Sequence, residues 1–292
     1  MLTNKKDIDA WCKAMHISEY VIYDDLSIKA FQDVDISSQK LNYIPVKFLE
    51  TLGNFNCYNN NLTTLKNVPD TVGEIFNCSV NKLTSLEHSP KVAKSDFKCS
   101  FNQIKSLEHI TPSIGGDLNI SNNPIEKLDY CPSIGYSLLC HNCNLTGFEG
   151  FPQKIVGSLN CYNNKISSFD NCPTDIGLHF YFDNNPTFSF KKAPQKIGGN
   201  FIFGFTTKNT QILNAQITDF DLSNIQIGEE LTHFTDKKEN FISGLEIFYV
   251  WKNNGAILKI EQEQINAFKL NNKLNIALSE PVQTNHNKKH KI

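Results

Sequence analysis

The chain has 292 residues, with 28 basic against 30 acidic side chains and a net charge of -2; that balance excludes a strongly basic nucleic-acid binder and a strongly acidic solvating tail. A hydrophobic fraction of 40% with 20% charged residues excludes bulk disorder, and no apolar run is long enough for a membrane-spanning helix. All the basic residues are lysine, so there is no guanidinium fork for bidentate phosphate or guanine contacts, which disfavours phosphoryl transfer and sequence-specific DNA reading.

Residues 1–33 read as an N-terminal cap. Thr3 is placed to cap a helix over residues 4–15, which sets Ile8, Trp11, Cys12 and Met15 on one face at i, i+3, i+4, i+7. Tyr20-Val21-Ile22-Tyr23 and Leu26-Ser27-Ile28 then read as a hairpin. The opening MLTNKKDIDAWCKAMH has neither an apolar h-region nor a small-residue cleavage site. A cytoplasmic location is therefore expected.

From residue 34 to 204 the sequence repeats. FNCYNNNLTTL from Phe55, FNCSVNKLTSL from Phe76, FKCSFNQIKSL from Phe97, LNISNNPIEKL from Leu118 and LNCYNNKISSF from Leu159 share one frame. VDISSQKLNYI from Val34, LLCHNCNLTGF from Leu138 and FYFDNNPTFSF from Phe180 keep it more loosely, and FIF from Phe201 opens a fragment. The step is 21 residues, except 20 between Leu118 and Leu138. A fixed period of this length signals a solenoid in which each unit buries its apolar face against its neighbours.

Within each unit, positions one and three are apolar, as in a short strand with one buried face. Position three holds Ile36, Cys57, Cys78, Cys99, Ile120, Cys140, Cys161 and Phe182, so cysteine acts as a small hydrophobe. This frame makes Cys140-His141-Asn142-Cys143 part of the stack rather than a zinc or redox motif. Position six holds Asn60, Asn81, Asn102, Asn123, Asn164 and Asn185, with Gln39 and Cys143 as exceptions. A buried amide there is expected to pair with backbone groups of adjacent turns. Positions eight and eleven are apolar, and a proline followed by an apolar–Gly pair, as in Val72-Gly73 or Ile114-Gly115, marks an irregular return.

This pattern resembles the leucine-rich repeat, L-x-x-L-x-L-x-x-N/C-x-L, with Phe, Cys and Ile often in place of Leu. The short proline-containing return is similar to the 20–22-residue repeats of bacterial effectors and bacteriophage proteins. The resemblance implies a curved solenoid of about nine strands with a parallel sheet on the concave face, irregular convex arcs and helical caps at both ends. Related effector ligases carry a catalytic domain with a cysteine nucleophile, but here no cysteine follows Cys172.

Residues 205–278 read as a helical C-terminal cap. DKKENFISGLEIFYVWKNNG after Thr235 and IEQEQINAFKLNNKL are its amphipathic segments, with a hairpin at Asn254-Gly255 as the alternative to the first. Residues 279–292 read as a disordered basic tail.

No catalytic residue, metal ligand set or cofactor motif stands out. The informative surface is the outward face of the strands. There Tyr58, Lys98, Phe101, His141, Tyr162, Tyr181 and Asp183 interrupt a field of Asn and Ser, a mixture suited to protein recognition. The expectation is a non-catalytic module that binds a protein partner on the concave face, such as a phage or bacterial factor acting on a host protein. The alternatives are a structural or surface component, and an enzyme or regulator with its active element in residues 205–292.

Overall fold

The computed structural model describes residues 2–186, 191–205, 226–227 and 231–235. They form a solenoid of parallel strands in which each repeat makes one turn. The main sheet has ten strands: Val34–Asp35, Phe55–Asn56, Phe76–Asn77, Phe97–Lys98, Leu118–Asn119, Leu138–Leu139, Leu159–Asn160, Phe180–Tyr181, Phe201–Phe205 and Leu231–Thr235. Its register pairs equal positions of successive repeats: Phe55 with Phe76, Phe97 with Leu118, and Leu118 with Leu138 across the 20-residue step. The repeat is lost in the sequence after Gly204, yet the sheet continues. Phe201 pairs with Leu231, so the step to the next strand is 30 residues.

The return path differs from the irregular arc expected. It carries its own two-residue strands, such as Thr71–Val72, Ser113–Ile114 and Asp175–Ile176, which pair in parallel. They form one sheet of seven strands that begins with the hairpin Tyr20–Ile22 and Ile28–Ala30 and ends at Ser133–Ile134. A second, of four, starts at Lys154–Ile155. Proline cannot donate to these ladders, but the residues after it alternate outward and inward: Ser113 and Lys154 are exposed, Ile114 and Ile155 buried. The glycines let backbones stack: a Cβ on Gly73 would lie 1.9 Å from the Leu52 carbonyl oxygen, and one on Gly177 1.9 Å from that of Val156.

The N-terminal helix spans Lys5–Ala14 and buries Ile8 and Cys12. Its cap is Asn4, not Thr3: Asn4 Oδ1 accepts from the Asp7 amide at 2.9 Å, and Asn4 Nδ2 donates to Asp7 Oδ2 at 2.8 Å. The two exchanged bonds make Asn4 the better cap. The helices expected after Thr235 and the tail lie outside the described residues.

Columns of equal positions fill the core. Phe55, Phe76 and Phe97 follow one another at ring-centroid distances of 6.1 and 5.1 Å, the first pair stacked and the second tilted, each burial stabilising by roughly 1.5–3 kcal/mol. The column cysteines are wholly buried free thiols.

The position-six asparagines form the ladder the sequence implied. Asn102 Nδ2 donates to the carbonyls of Cys78 and Cys99, and its Oδ1 accepts from the Leu83 amide at 2.9 Å. Asn123 repeats this with Cys99, Ile120 and Ile104. Each amide therefore joins two turns.

Two corner positions lie in the left-handed region of backbone space. Position five does so in eight successive repeats, with φ from 52° at Asn142 to 57° at Val80. Position thirteen does so at Asn67, His88, His109, Tyr130, Gly150, Asn171 and Lys192. Asn and Gly tolerate this geometry best. The recurrent Asn at position five is thus a backbone requirement.

Candidate functional site

On the outward side of the ten-stranded sheet, most polar side chains serve the backbone. Asn56, Asn77 and Asn119 at position two accept, through Oδ1, the amide of the position-four residue of the same turn, Tyr58, Ser79 and Ser121, each at 3.1 Å. The residue before position one forms a further ladder. Asp33 Oδ1 accepts from the Asn54 amide at 2.8 Å, Asp117 Oδ1 from Ser137 at 2.8 Å, Ser137 Oγ from Ser158 at 3.1 Å, and His179 Nδ1 from Asn200 at 3.1 Å. Sequence reasoning missed this column, because its members share a side-chain acceptor rather than a residue type, and Ile75 interrupts it.

Against that background the seven residues singled out in the sequence fall into two groups. His141 and Tyr162, on successive turns, stack face to face with centroids 4.6 Å apart and planes 8° from parallel. Tyr181 pairs in register with Asn160, and its ring lies 5.9 Å from that of His179. Asp183 stands half-buried on the same turn. Desolvation lowers the pKa of His141 and raises that of Asp183, so burial disfavours the charged form of both. Two polar atoms here are buried without partners: His141 Nδ1 and Asn160 Oδ1.

The second group lies toward the N-terminal end. Tyr58 is 42% exposed and Phe101 57% exposed. Lys98 pairs with Asp96 at 3.1 Å. A shallow open groove runs from Asp33 and Asp35 past Asn56 and Asn77 to Lys98. Two turns separate Phe101 from His141, about 10 Å at the spacing of paired strands. Val80, at position five between Tyr58 and Phe101, joins this group. Its signal is a β-branched residue where the other turns carry mostly asparagine.

Among the described residues, no group of three His, Cys, Asp or Glu side chains is placed to hold a metal ion. None of the described helices is long and apolar enough to cross a membrane. The chain matches no family model, and no curated protein matches its sequence.

Proposed function

We propose that the chain is a non-catalytic binding module of the leucine-rich-repeat type, which engages a protein partner on the outward, concave face of its ten-stranded sheet. The observation that carries this reading is the disruption of the backbone service around His141 and Tyr162. Where Asn119 caps the Ser121 amide at 3.1 Å, Asn160 Oδ1 is buried without a partner, and so is His141 Nδ1. An unsatisfied buried polar atom costs about 1–3 kcal/mol. The ring stack of His141 and Tyr162 sits where Ser79, Ser100 and Ser121 suffice elsewhere. An aromatic pair on the outward face supports a recognition role, since binding hot spots favour Tyr and Trp.

Affinity capture with the full chain, set beside its Tyr162→Ala/Tyr181→Ala variant, tests this. The expected result is a captured protein lost in the variant, with a binding deficit of ~2 kcal/mol or more per anchor and a nearly unchanged melting temperature. Capture that survives both changes but vanishes on deletion of residues 205–292 would move the function to the C-terminal region.

A further inference from the structure

Val80 and Phe101 occupy consecutive turns at position five, with φ of 57° and 54°. The other six described turns place Ser38, Asn59, Asn122, Asn142, Asn163 and Asn184 there. A β-branched or bulky residue in left-handed backbone is strained, and such strain persists where something other than folding selects the side chain. The substitution also breaks a side-chain ladder: Asn59 Nδ2 donates to Ser38 Oγ at 3.0 Å and Asn142 Nδ2 to Asn122 Oδ1 at 3.1 Å, a bond neither Val nor Phe can make. Neither residue is in the core: Phe101 is 57% exposed and Val80 partly so. With Tyr58, at position four one turn earlier, they form an apolar row across three turns, exposed at Tyr58 and Phe101 and partly exposed at Val80.

The charged side chains at positions one to nine of the turns from Phe55, Phe76 and Phe97 are Lys82, Lys98 and Lys105, in a chain whose net charge is -2. Glu74, Glu87, Asp96 and Glu108 fall outside those positions. Lys98 is paired with Asp96 and Lys91 with Asp70. Lys82 and Lys105 are exposed, and Lys82 follows Val80 by two residues. Glu126, at position nine one turn beyond Lys105, and Asp33 and Asp35 at the far end of the groove lie beyond the two ends of this stretch of the face.

We infer that Tyr58, Val80 and Phe101, framed by Lys82, Lys98 and Lys105, form a docking site for an acidic protein segment that inserts a bulky apolar side chain. This inference rests on the reading of the sheet face as protein-binding and names the chemistry of the partner. The apolar row supplies the desolvated anchor, and the lysines attract the flanking carboxylates.

The test is selection of a random-peptide display library on the immobilised full chain. Peptides that place Phe, Leu, Ile or Trp beside Asp or Glu are expected. Their affinity should fall ~10-fold or more in Val80→Asn and in Phe101→Asn, while both variants fold with a denaturation midpoint equal to or above that of the wild type. Lys82→Glu/Lys105→Glu should weaken the same peptides and flatten their salt dependence. Enrichment of basic or wholly polar peptides, affinities that survive both asparagine variants, or a library without binders would each overturn the site. Peptides lost in Tyr162→Ala/Tyr181→Ala but not in Val80→Asn would overturn it while leaving the wider sheet-face reading standing. Peptides indifferent to all these changes would remove both.

Discussion

Position five shows how one backbone requirement can be confused with a functional signal. The corner after each main strand needs φ near 55°, and Asn59, Asn122, Asn142, Asn163 and Asn184 meet it. Their frequency reflects the αL tolerance of asparagine, so the Asn field on this face carries no information about a partner. The informative residues are the two that violate the rule. Left-handed backbone costs an ordinary L-residue about 1–2 kcal/mol. Val80→Asn is therefore expected to stabilise the fold by about 1 kcal/mol, seen as a higher denaturant midpoint with an unchanged m-value. A lower midpoint would mean that the Val80 side chain contributes packing that outweighs its backbone strain.

The turn is held by features of unequal legibility. Cysteine at position three and asparagine at position six recur as letters, so the buried column and the amide ladder are legible in the sequence itself. The ladder ahead of position one is not: Asp33, Asn54, Asp117, Ser158 and His179 do the same work with four kinds of side chain. The return strands escape because two residues are too few for an alternation to stand out. The candidate site is legible as two groups about two strands apart, and Val80 as an apolar exception among the asparagines of position five; that this position is left-handed is not. The amide ladder has a direct test. Asn102→Ala leaves the Leu83 amide without its partner and removes one of the two ladder donors from each of the Cys78 and Cys99 carbonyls, which keep Asn81 and Asn123, at an expected cost of ~1–3 kcal/mol. Cys143 holds the same position, and its Sγ lies 3.5 Å from the Ile120 carbonyl oxygen. A thiol is a weak donor and acceptor there, so Cys143→Asn should move stability the other way, by about 1 kcal/mol. Equal midpoints for wild type and both variants would show that the ladder bonds merely replace bonds to water.

Across the stack, four irregularities coincide. The one 20-residue step runs from Leu118 to Leu138. The missing ladder amide is at Cys143, the unpartnered His141 Nδ1 and Asn160 Oδ1 lie on this turn and the next, and the return sheet breaks between Ser133–Ile134 and Lys154–Ile155. A solenoid is held by nearest-neighbour interfaces, so the weakest interface decides whether it opens as one unit or two. Here the seam leaves Cys57, Cys78 and Cys99 on one side and Cys161 and Cys172 on the other. All five are buried, and desolvation raises the thiol pKa at each, to about 12 at Cys57. Alkylation needs the exposed thiolate, so each thiol reports the opening of its own turn. In submolar denaturant, pulsed alkylation read by peptide mass is expected to sort these cysteines into two classes divided at the seam, with one opening free energy within each class. Cys143→Asn should bring the classes together by strengthening the seam. A single labelling rate for all five thiols in the wild type would show that the solenoid opens as one unit and that the clustered irregularities leave its cooperativity intact.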